Sequence, residues 1–135
     1  LSTELVFMIL TGITLVYIIL HFVVSNKASA QSAILFLMST QVVNAFFHIG
    51  GTITYSHFSP GLITGVLLYL PVNYLILRHA VTEGWVTTKG IFALFIAGTT
   101  VFTLFEIYGP LPMLLVLLTT YIWIALTVKK DLKKQ

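Results

Sequence analysis

Four side chains in this sequence are chemically out of place. Gln41, Asn44, His48 and Glu106 each interrupt a long apolar run. Gln41, Asn44 and His48 are spaced three and four apart, so one helical face carries all three. Continuing at the same spacing reaches Gly51, Thr52 and Tyr55. Glu106 shares a face with Thr99 and Thr103 and is the sole carboxylate within an apolar span. An ionised carboxylate at the centre of a bilayer costs about 2.5 kcal/mol or more, so Glu106 must be protonated, paired or near water. An imidazole and a carboxylate in one site can exchange a proton, with Asn44 orienting the reacting group. Asn44, His48 and Glu106 are therefore the candidate catalytic residues. Together with His57 in the following turn, His48 and Glu106 are also candidate ligands for a divalent metal such as zinc. Two plainer readings compete. Amides and imidazoles within spans often only bond across helices, and a histidine in a turn is usually solvated. Glu4 can simply complement the dipole of a first helix.

The segments that must position these residues are set by composition. The chain of 135 residues is 58% hydrophobic and 8% charged, whereas soluble domains carry about 25% charged residues. A soluble chain of this length leaves too much area in water to hide such an apolar surface. The surrounding medium is lipid, and the fold class is all-α, a polytopic transmembrane helical bundle. A span needs about 20 mostly apolar residues. Five segments meet this: about 5–24, 32–54, 61–79, 89–108 and 113–128. They form one transmembrane domain covering residues 1–135, with no repeat. Cysteine is absent, which removes thiolate ligands, thiol nucleophiles and disulfides.

Charge orders the spans. With five helices, the 25–31 loop, the 80–89 loop and the C-terminal tail share one side. Lys27, Arg78, Lys89, Lys129, Lys130, Lys133 and Lys134, which are all 7 basic residues, fall there. The positive-inside rule then predicts N-out and C-in, a multi-pass protein of the plasma (cell inner) membrane. The basic tail meets anionic headgroups at the inner face. The net charge of +3 is no sign of nucleic-acid binding, because the basic residues sit at helix ends. An N-out start without a signal sequence predicts a further helix upstream of Leu1.

Ser59-Pro60-Gly61 reads as a turn and helix start, since proline suits a first helical turn. Gly61 and Gly65 allow close approach of a neighbouring backbone. Pro71 frees a carbonyl near mid-membrane and predicts a kink.

The ordered set Asn44-x-x-x-His48, an aromatic-containing turn, Pro60-Gly61-x-x-Thr64 and Pro71 resembles the central part of the small membrane proteins named for an HxxEE motif. In that family a helix with N-x-x-x-H leads into a Y-x-P-G-x-x-T-A turn and an apolar helix with a proline. Here Phe58 or Tyr55 supplies the aromatic, and Gly65 stands in the place of the small alanine. The resemblance covers residues 40–75. The HxxEE motif itself is absent, as no His in this chain is followed by Glu-Glu at that spacing. In the family it lies near the end of an early helix, which the predicted upstream helix would supply. The resemblance implies a metal site and, by analogy with zincins, a hydrolase. The leading expectation is an outward-facing, metal-dependent enzymatic site. The alternatives are a transporter or binding protein for a small solute, and a purely structural bundle.

Overall fold

The computed structural model describes residues 2–135 and, within them, all side chains but those of Thr3 and Phe7. Among the described residues every regular element is helical, and five helices are long and apolar enough to cross a membrane. They are α1 Thr3–Val24, α2 Lys27–Tyr55, α3 Gly61–Thr82, α4 Thr88–Tyr108 and α5 Leu111–Lys133. Large apolar side chains such as Met8, Phe22, Leu67, Ile96 and Leu118 point outward, as a lipid-facing surface requires.

Of the helix ends that differ from the sequence expectation, three have a clear local reason. α2 starts at Lys27 rather than about 32, because Asn26 caps it. The Asn26 Oδ1 accepts from the Ser29 amide at 2.8 Å, and the Asn26 amide donates to Ser29 Oγ at 3.3 Å. This reciprocal pair satisfies two otherwise free donors. Asn26 also donates to Thr127 Oγ1 at 3.2 Å, tying the first loop to α5. α5 begins at Leu111 with Pro112 inside its first turn, where a missing N–H leaves no bond unmade. It continues to Lys133, since lysines in a last turn complement the helix dipole.

Helix α2 is the hub. Half of its span is buried, against 11–17% for the others. Its first turns are built of small residues: Ala28, Ser29, Ala30, Ser32 and Ala33 are all buried. In lipid there is no hydrophobic drive between helices, so close van der Waals packing and interhelical bonds hold the bundle. Small side chains make that contact close. One cluster joins α1, α2, α4 and α5 through Tyr17, Phe36, Val101, Met113 and Ile124. A second joins α2, α3 and the 83–87 connection through Ile34, Met38, Val42, Ala80 and Val86, with Ile91, Leu94 and Phe95 of α4 packed against it. Gly98 lets α4 lie directly on α2, because a Cβ there would meet Met38 Cβ at 2.8 Å and the Ser39 nitrogen at 3.2 Å. Gly65 does the same for α3, where a Cβ would come within 3.1 Å of Ala45 Cα. Helices α1 and α3 both pack on α2, and among the described residues they make little direct contact with each other.

Both α2 and α3 contain a π-helical turn, at Met38–Val42 and Gly65–Tyr69. In α2, Ser39 Oγ donates to the Leu35 carbonyl at 2.7 Å and Thr40 Oγ1 to that of Phe36 at 2.6 Å. These hydroxyls occupy carbonyls that an α ladder would use. In α3 the wide turn ends two residues before Pro71. Proline has no N–H for residue i−4 and its ring crowds that carbonyl; widening the turn relieves both. The carbonyl that Pro71 was expected to free thus belongs to a π turn.

Candidate functional site

The polar stripe of α2 begins at its π turn. Gln41 accepts from Asn73 Nδ2 of α3 at 2.7 Å, and the same amide group donates to the Tyr69 carbonyl at 2.8 Å. Asn73 is 2% exposed. The two π turns therefore meet across a bonded amide pair, and Gln41 acts as the interhelical tie that its residue type allows. Asn73 was not legible as a partner, since one amide among Pro71, Tyr69 and Tyr74 has no spacing signature.

About two turns further on, His48 Nδ1 is hydrogen-bonded to Ser59 Oγ. The Ser59 amide donates to Thr52 Oγ1 at 3.3 Å. Residues 56–60 are in this way folded back over the end of α2. Ser56 closes the helix in a left-handed conformation, φ 53°, which costs a non-glycine residue roughly 1–2 kcal/mol. Pro60-Gly61 then starts α3 beside the imidazole. A Cβ on Gly61 would collide with the His48 ring. The P-G pair thus has a specific steric role: it turns the chain and leaves room for the histidine.

Gln41, Asn44, His48 and Glu106 all line one cavity of about 350 Å³. Thr11 and Thr14 of α1 close one side, and Phe102 and Phe105 of α4 flank Glu106. The volume falls in the range of small-ligand sites, about 300–1,000 Å³. The lining is mostly apolar with a few polar groups, the usual makeup of such sites. Among the described residues no hydrogen bond engages the Asn44 or Glu106 side chain, which leaves both free to meet a ligand. Ser59 engages the imidazole at Nδ1, and the Nε2 side of the ring lies against Gly61.

His57 does not join this set. It is exposed in the turn, and the cavity lining excludes it. The cause is the Ser59 anchor: with Ser59 held against His48 and Thr52, residues 55–58 form the outer limb of the turn. Among the described residues no group of three or more His, Cys, Asp or Glu side chains is arranged to hold a metal ion. The trio His48, Glu106 and His57 is accordingly not assembled. Glu4 is also exposed and outside the cavity. Ser59, by contrast, contacts the key imidazole although its sequence context read only as a turn.

A family profile described as "Protein of unknown function with HXXEE motif" matches residues 1–76. No curated protein and no solved structure matches the chain.

Proposed function

Because the chain belongs to the HXXEE family, a group of unknown function, we propose its activity from the cavity itself: an integral-membrane enzyme that works by general acid–base chemistry. The observation that carries this reading is the convergence of Asn44, His48 and Glu106, from two helices, on one ligand-sized cavity. His48 would take or give a proton at the reacting atom. Glu106 would serve as the second proton-transfer group, and the Asn44 amide would orient the substrate. A zinc centre uses three or four protein ligands, whereas the cavity offers only His48 and Glu106 as ligand side chains. These residues do not fit a metal on their own, and no step is routed through one.

The cavity would face outward from the plasma (cell inner) membrane. Support comes from the 7 lysine and arginine residues, all at the end of the bundle away from the 56–60 turn. The chain has no cysteine, so a single His57→Cys variant reports its own side. On intact cells an impermeant maleimide should modify His57→Cys and spare Lys133→Cys. The opposite pattern would reverse the orientation.

A second reading, passage of a small solute, is favoured by another cavity that continues toward the basic end. Its lining is largely apolar, which disfavours a polar solute. One experiment separates the two. Proteoliposomes of the full chain are incubated with a cell extract and its lipid fraction, and consumed species are read by mass spectrometry. Some species should be converted by the wild type, with turnover reduced about 10²–10⁴-fold by His48→Ala or Glu106→Gln. Movement of a species across the bilayer without chemical change would overturn the enzymatic reading.

A further inference from the structure

The second cavity, about 460 Å³, lies beside α1, α2 and α3 nearer the basic end. Ile18 lines both cavities. The linings also join helix by helix. On α1, Thr11, Leu15, Ile18 and Phe22 form one stripe at spacings of three and four. On α3, Tyr69 of the first leads to Val72, Ile76 and His79 of the second. On α1 and α3 residues so spaced share a face, while on α2 Ile34 and Leu37 of the second cavity and Asn44 and His48 of the first stand on either side of the π turn; with Ile18 common to both, the cavities are two stations of one groove. Because α1 and α3 make little direct contact with each other among the described residues, the groove opens sideways toward hydrocarbon.

Its two halves differ in chemistry. The half near the 56–60 turn carries the hydroxyl, amide and imidazole groups and Glu106. The other half is apolar until its far rim, where Trp85 Nε1 donates to Glu83 at 2.9 Å and His21 Nδ1 bonds Ser29 Oγ at 2.9 Å. Neither half is lined by lysine or arginine, the residues that pair with phosphate. A carboxylate at Glu106 further disfavours an anionic ligand. A slender chain with a polar end fits the two cavities.

We propose that the groove binds a lipid with an uncharged hydroxyl- or amide-bearing head, the head in the Asn44–His48–Glu106 cavity and the hydrocarbon tail in the apolar cavity beyond Ile18. This rests on the enzymatic reading of the first cavity and names its substrate class. Entry is sideways from the bilayer, and the tail sets the depth at which the head meets His48.

The test uses the full chain in phosphatidylcholine nanodiscs with a trace of monoacylglycerol that bears a diazirine at its chain end. After irradiation, labelled residues are mapped by mass spectrometry. Labels should concentrate on Ile18, Ile34, Leu37, Val72 and Ile76 over the more exposed Leu67, Ile96 and Leu118, and excess unlabelled monoacylglycerol should compete. Val72→Trp, on an exposed groove wall, should reduce groove labelling about tenfold, equivalent to about 1.4 kcal/mol. Leu67→Trp should leave it unchanged. Uniform labelling of all lipid faces, or cross-links showing a second helix seated in the groove, would overturn the proposal. Labelling that persists while no turnover depends on His48 or Glu106 upholds the lipid site and rejects the chemistry. Turnover of a water-soluble species without groove labelling does the reverse.

Discussion

Replacing Tyr17 by alanine is expected to destabilise the bundle by about 3–5 kcal/mol, the range for deleting a large buried aromatic. Tyr17 is 0% exposed at the meeting of α1, α2 and α5. Its ring stacks on Phe36 with centroids 4.5 Å apart and on Tyr121 at 5.2 Å. Its hydroxyl donates to the Leu117 carbonyl at 3.1 Å or bonds Thr120 Oγ1. Neighbours on three helices cannot all collapse into the space, so most of the lost dispersion stays lost. Tyr17→Phe keeps the ring and removes only the hydroxyl, an interhelical bond worth about 0.6 kcal/mol on average in membranes. Reversible unfolding in mixed micelles measures both variants. A loss below about 1 kcal/mol for Tyr17→Ala would show that α1 is held elsewhere.

The second large effect is at Gly61, where Gly61→Ala is expected to displace His48 and abolish function as His48→Ala does. The added Cβ would collide with the imidazole, so the ring must swing away and release Ser59. Overpacking of this kind costs about 1–3 kcal/mol. The diagnostic is a double-mutant cycle. With His48→Ala the space is vacant, and Gly61→Ala should become neutral or gain up to about 1 kcal/mol from better helix propensity. A coupling of about 1 kcal/mol or more is expected between two such contacting sites. Equal effects of Gly61→Ala in both backgrounds, measured by denaturant unfolding, would refute the steric role.

The spans and the stripe were legible in the sequence for the same reason: polar groups stand out where the solvent is lipid. Gln41, Asn44 and His48 could be placed on one face by spacing alone. The basic residues counted the helices. What spacing could not supply is which face meets which neighbour. Asn73 bonds Gln41 across 32 positions, and no local pattern encodes that. Ser59 sits before Pro-Gly, so its turn role concealed its bond to His48. His57 attracted attention by residue type, but type does not reveal that the Ser59 anchor leaves it on the outer limb. The central place of α2 was likewise hidden, because its span was expected only from about residue 32, which left most of Ala28–Ala33 outside it. Their smallness is what lets the surrounding helices approach.

The π turn at Met38–Val42 carries a consequence for how α2 tolerates change. Each residue advances an α-helix by about 100°, and a π turn holds one residue more than an α turn. The wide turn therefore takes up one residue without advancing the phase of α2, so Ala28–Leu37 and Asn44–His48 are not related by simple α spacing. Removing a single residue within 38–42 would restore an unbroken α ladder with the phase of the two halves kept, whereas removing one from the α segment 43–47 would turn His48 by about 100° relative to Ala28–Leu37. The second deletion would preserve helix content and still aim His48 away from Ser59. In this helix the register is a component of the site as much as any side chain.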